Sequence, residues 1–146
     1  MAERTVFQSV PRKHVLSLGP RDSVWEAACA MTRENCGSIL VMAPPDKLLG
    51  IVTERDLMTR VLARALEPKS TSLADVMTAH PVCVPPEFKV ADAVLIMIER
   101  GFRHLPIVDA HGKILGVFSA RDALPREIGT ALSQAEFNEQ VNDVLG

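Results

Sequence analysis

Two stretches, GIVTERD at 50–56 and GVFSARD at 116–122, decide how this chain is read, because they are one pattern repeated at a shift of 66 residues. The shift persists upstream without a gap. Val24, Ala27 and Met31 fall on Val90, Ala93 and Met97, while Lys47, Leu49 and Gly50 fall on Lys113, Leu115 and Gly116. A register kept across a helical stripe, a turn and an apolar run marks a duplicated structural unit.

Each copy opens with a short extended segment ending near proline, VLSLGP at 15–20 and VCVPP at 82–86. A helix follows. In DSVWEAACAMTREN (22–35), Val24, Ala27, Ala28 and Met31 keep helical spacing behind Asp22 or Ser23 as a cap, and Val90, Ala93, Val94 and Met97 repeat the stripe. Two short apolar runs come next, SILVM and LLGIV around APPDK, then HLPIV and ILGVF around DAHGK. Proline and glycine in the connectors predict hairpins of largely buried strands. A second helix opens behind each hairpin, clearest in ERDLMTRVLARAL (54–66). The expected fold is α/β, with two β-α-β-β-α units at 10–66 and 74–128, the loop ALEPKSTSL between them and a helical tail over 129–146. One such unit buries too little apolar surface to be comfortably stable alone, so the two are expected to pack sheet to sheet. The tail is expected to cover the core or to meet a second subunit.

The 146 residues are 47% hydrophobic, enough for a substantial core, and 16 Lys+Arg against 18 Asp+Glu leave a net charge of −2. With no polybasic tract and few aromatics, nucleic acid is not an expected partner. No run approaches the roughly 18 apolar residues of a spanning helix, and MAERTVFQSV has no signal-peptide core, so a cytoplasmic protein without membrane association is expected. Cys29, Cys36 and Cys83 lack zinc-site spacing and read as buried free thiols. Met31, Met42, Met58 and Met97 read as core filling. His14, His80, His104 and His111 are scattered, His111 in a solvated turn, and no nucleophile elbow, P-loop or GxGxxG is present. Neither a catalytic centre nor a metal is expected.

Thr53 and Asp56, then Ser119 and Asp122, place a hydroxyl where a buried strand gives way to a helix and a carboxylate three positions on. Such a junction offers unpaired N–H groups and the positive end of a helix dipole to a phosphate. The hydroxyl adds a donor, and a carboxylate one turn on can accept from the paired ribose hydroxyls. The same [T/S]-x-x-D spacing is close to a capping box, which satisfies helix-end donors with no ligand at all.

The ordered set, with ADVMT at 74–78, RHLPIVD at 103–109 and both G-h-x-[T/S]-x-x-D segments, resembles the CBS domain pair, or Bateman module, over residues 10–127. The resemblance implies a regulatory role without catalysis and two clefts related by pseudo-twofold symmetry. These would take an adenine nucleotide, AMP first, with ADP, ATP, NAD and S-adenosylmethionine as the other candidates. One cleft would use Asp122, with Ser119 for phosphate, Val117 beside the base, the backbone of Cys36 and Gly37, and His14, Val15 and Leu16. Its twin would use Asp56, Thr53 and Ile51, the backbone around Phe102 and Arg103, and the stretch holding Met77, Thr78, His80 and Val82. Apolar walls with a few convergent polar groups suit an adenine site.

The copies differ where Gly37 and Ser38 face Arg103 and His104. The resemblance implies that a basic residue there points toward ligand phosphates, and charge-assisted bonds favour an anion, so the Asp122 cleft is expected to bind more strongly. A surface Arg103 paired with a carboxylate and a satisfied buried His104 are the alternatives. Arg55 and Arg121 each precede a motif aspartate; they either reach phosphate or pair with acidic neighbours such as Glu54. The first copy lacks the Met-Thr element of Met77 and Thr78, which leaves the base contacts near His14 open. The family also implies association through helices into a homodimer, with ligand state read by a regulated partner protein. A ligand-free dimerisation scaffold is the other reading.

Overall fold

The computed structural model describes residues 3–10 and 15–145. The chain is mixed α/β and divides into two compact units, one formed by Val15–Pro81 and one that joins the N-terminal residues to everything from Val82 onward.

In Val15–Pro81, strands β1 (Ser17–Leu18), β2 (Ser38–Ala43), β3 (Lys47–Thr53) and β4 (Thr78–Ala79) form a sheet in that order. β1 runs parallel to β2, and the remaining neighbours are antiparallel. Helix α2 (Val24–Glu34) connects β1 to β2. Ser23 caps it through a full capping box: its Oγ accepts from Glu26 N at 3.1 Å, and the Glu26 carboxylate accepts from Ser23 N at 3.1 Å. Asp22 instead accepts from Gly19 N at 2.7 Å. Asn35 ends the helix at φ 52°, the left-handed setting that closes many helices. The stripe Val24, Ala27, Ala30 and Met31 packs with Ile39, Val41 and Val52, and Leu73 and Val76 complete this core. Helix α3 (Glu54–Asp56) runs on as a π-helix over Leu57–Leu62. The helix expected to fill 54–66 therefore stops early, and Ala65 turns the chain at φ 54°.

The second unit repeats the plan. Helix α4 (Val90–Arg100) ends at Gly101, φ 78°, the repeat counterpart of Asn35. Strands β5 (His104–Val108) and β6 (Ile114–Ser119) pair antiparallel. Even the irregularities recur: the bulge at Val41/Met42 returns at Ile107/Val108, and the parallel Leu18–Val41 pairing returns as a single Val84–Ile107 bridge. Asp109 closes the hairpin by accepting from His111 N and Lys113 N at 2.8 and 2.9 Å, with Gly112 at φ 82°. His111 is exposed on that turn.

Helix α1 (Val6–Ser9) joins this unit: Val6 N donates to Phe88 O at 2.7 Å, Val90 N donates to Arg4 O at 3.0 Å, and Val6 and Val10 are buried with Val90, Leu105, Ile107 and Phe118. After β6 a 3-10 turn, Ala120–Asp122, gives way at Ala123 to extended backbone, and α5 (Pro125–Leu145) starts afresh. Proline disfavours helix in the residue before it but suits a first helical turn, which explains the break and the restart. The helix behind the second hairpin and the tail are thus one element, and its buried Ala131 joins the core.

Two expectations about packing are corrected. Cys29 and Cys83 are exposed and Cys36 is half-buried, because Cys29 falls off the buried stripe of α2 and Cys83 alternates with the inward Val84. Met31 and Met97 fill the cores and Met42 is half-buried, but Met58 is exposed on the outer side of the π-helix. Among the described residues no helix is long and apolar enough to cross a membrane, and no group of three His, Cys, Asp or Glu is placed to hold a metal ion.

Candidate functional site

The two strand-to-helix junctions share their main-chain and carboxylate bonds and differ in which N–H the hydroxyl caps. Gly37 O accepts from Glu54 N at 3.0 Å, and its repeat counterpart Arg103 O accepts from Ala120 N at 3.0 Å. Thr53 N donates to Asp56 Oδ2 at 2.9 Å, and Ser119 N donates to Asp122 Oδ2 at 2.9 Å. The hydroxyls complete the pattern: Thr53 Oγ1 accepts from Asp56 N at 3.2 Å and Ser119 Oγ from Arg121 N at 3.3 Å. Both motifs therefore act as capping boxes. Capping does not exhaust these groups. A hydroxyl that accepts keeps its proton to donate, and an ionised carboxylate offers about four lone-pair sites. The box fixes the direction of both.

In the Val15–Pro81 unit, Ile51 of β3 pairs with Thr78 of β4, so Ile51, Thr53, Asp56, Met77 and Thr78 share one end of the sheet. His80 is exposed at φ 51°, and its N–H donates to Leu49 O at 3.2 Å. Gly50 lets β4 come close: a Cβ there would stand 2.7 Å from Thr78 O and 2.6 Å from Met77 Sδ, a close approach that favours glycine in a strand. Asp56 is buried. Arg60 lies beside it, with Nε 3.7 Å from Asp56 Oδ1 and Nη1 donating to Val76 O and Met77 O at 2.9 and 3.0 Å. Sequence reasoning missed Arg60, although its place four residues beyond Asp56 on a helix was the available signal.

In the second unit, Val117 and Ser119 lie on β6, Arg121 and Asp122 on the turn after it, and His104 pairs with Ser119 across the hairpin. Arg103 and Arg121 are exposed, while His104, Val82 and Asp122 are half-buried. Arg4, also unforeseen, donates from Nη2 to Asp122 O at 3.0 Å. The same guanidinium grips Glu127 from Nε at 3.0 Å and Nη2 at 2.7 Å, and Glu127 Oε1 accepts from Leu124 N at 2.7 Å as well. These Arg4 bonds hold the Glu127 carboxyl below its ordinary range, against the opposing effect of burial. Of the residues expected beside Asp122, Val15, Leu16, Cys36 and Gly37 belong to the Val15–Pro81 unit, and His14 lies outside the described residues.

The family model "CBS domain" matches residues 7–63 and 73–127, and the chain belongs to that family as a CBS pair, a regulatory module. An uncharacterized protein of Methanopyrus kandleri is 33% identical over 118 residues, which cover 81% of this chain and 60% of that protein. The chain thus spans about three-fifths of that relative's length. Among solved structures, a CBS-domain containing protein from Agrobacterium tumefaciens is 28% identical at a TM-score of 0.75, covering 81% of this chain and 89% of that one. A CBS domain protein from Pyrobaculum aerophilum, complexed with AMP, shares the fold at a TM-score of 0.78 and 24% identity, covering 90% of this chain and 100% of that one.

Proposed function

We propose that this CBS pair binds an adenine nucleotide, AMP first, at the Asp56 and Asp122 junctions and signals the ligand state to a regulated partner in the cytoplasm, with no reaction of its own. The observation that carries this reading is the duplicated junction, in which a hydroxyl and a carboxylate recur three residues apart, Thr53 N and Ser119 N each donating to the carboxylate at 2.9 Å. Carboxylates held this way are set to accept from a ribose diol, and the hydroxyl, whose proton the cap leaves unused, to donate to phosphate. Ile51 and Val117 supply an apolar side for the base. The AMP complex of the Pyrobaculum protein supports the reading, since it demonstrates that the fold accommodates this ligand. Arg103, exposed where the first copy has Gly37 and bonded through its carbonyl to Ala120 N of the Asp122 junction, favours tighter phosphate binding there.

A homodimer is part of the same proposal. Met58, Leu62 and Leu66 are exposed apolar residues on one copy, and their repeat counterparts Leu124, Ile128 and Leu132 are exposed on the other. Matching apolar ridges of this kind suit a self-complementary interface.

Thermal unfolding with AMP, ADP, ATP, NAD and S-adenosylmethionine tests the function. A ligand at 100 times its Kd should stabilise the fold by about 2.7 kcal/mol. No shift with any of the five would leave the scaffold as the better description.

A further inference from the structure

Two arginines from different places in the repeat stand at the two junctions. Arg60 falls on Arg126 under the 66-residue shift and Arg4 falls on Ser70, so neither is the other's counterpart. Each nevertheless ties its junction to a second segment of chain. Arg60 lies 3.7 Å from the Asp56 carboxylate while donating to the carbonyls of Val76 and Met77, so one guanidinium spans the group proposed for ribose and the segment proposed for the base. Arg4 donates to the Asp122 carbonyl while holding Glu127 in the first turn of α5, with the Glu127 side chain only 7% exposed. A planar fork with fixed donors sets such multi-point ties, which a lysine ammonium does not reproduce.

We propose, resting on the nucleotide reading above, that Arg60 and Arg4 are the positioning residues of the Asp56 and Asp122 sites respectively, each setting its junction for ligand without touching the nucleotide. Arg4 precedes the matched CBS segments, which begin at residue 7, so the Asp122 site depends on chain outside the family's own pattern. Through Glu127 it also links that site to α5.

AMP titration calorimetry on the full chain tests this in single-site backgrounds, Asp122→Asn leaving the Asp56 site and Asp56→Asn leaving the Asp122 site. Arg60→Met should weaken AMP by at least about tenfold in the first background and less than about threefold in the second, and Arg60→Lys should not restore it. Arg4→Met, paired with Glu127→Gln so that no buried charge is stranded, should show the opposite selectivity. The retained site certifies the fold in each case. Equal losses in both backgrounds, or no loss in the matched one, would overturn the assignment. If the wild-type chain takes up no AMP, the nucleotide reading itself fails and the positioning roles fall with it.

Discussion

Gly50→Ala adds one methyl group where β3 and β4 run closest, and the structure sets what that methyl must displace. A Cβ at residue 50 would lie 2.6 and 2.9 Å from Met77 Sδ and Cγ and 2.7 Å from the Thr78 carbonyl oxygen. The thioether can rotate away. The carbonyl cannot move alone, because it belongs to a two-residue strand paired with Gly50 and Ile51, and Arg60 holds the preceding carbonyls of Val76 and Met77. Reaching ordinary contact at 3.4 Å requires β4 to retreat by about 0.7 Å. Overpacking of this kind costs about 1–3 kcal/mol. At about 2–4 °C per kcal/mol for a chain near this length, Tm should fall by about 2–12 °C in scanning calorimetry. AMP binding at the Asp56 site should weaken with it, since Thr78 and Met77 move. A variant that melts within about 1 °C of the wild type would show that β4 yields freely, contrary to the tie described for Arg60.

Glu127 is held ionised in the folded chain, so the unfolded chain binds more protons in acid; the contribution is present above about pH 4.3 and is lost as pH falls through the lower folded value. Glu127→Gln should accordingly flatten the acid decline of stability in urea titrations, and an unchanged slope would count against the pair. Ser23→Ala removes the acceptor of a capping box and should lower stability by about 1 kcal/mol in urea unfolding, with no loss arguing that α2 needs no cap. Leu62→Glu places a charge on an exposed apolar ridge and should convert a dimer to monomer in sedimentation velocity, whereas a persistent dimer would relocate the interface.

The duplicated plan is legible because every element carries its own local signal. The stripes of Val24 to Met31 and Val90 to Met97 give the helices, and the runs around APPDK and DAHGK give the hairpins. The repeat extends to irregular features that no local signal singled out, since Asn35 and Gly101, one shift apart, both end their helices in the left-handed setting. What escapes is non-local or depends on small backbone choices. The π-helical run over Leu57–Leu62 and the break at Ala123 arise within sequences whose apolar spacing reads as plain helix, although Pro125 marks the second. Arg4 meets Glu127 across 123 residues, and no local pattern announces such a pair. The Thr53–Asp56 and Ser119–Asp122 pairs are legible as chemistry, but the sequence leaves capping and nucleotide contact open, and the structure adds that capping is in place in both copies. Cys29 and Cys83 mislead because cysteine is so often buried, while position on the element decides each case.

AMP titration of the wild type against Asp56→Asn, Asp122→Asn and the double variant tests the nucleotide claim most directly. Asparagine keeps an oxygen to accept from Thr53 N or Ser119 N, so the caps persist while the carboxylate charge is removed. The wild type should bind AMP, Asp122→Asn should lose more than Asp56→Asn, and the double variant should show no detectable binding. Undiminished binding by the double variant would contradict that claim, because the nucleotide would then be held somewhere other than these junctions.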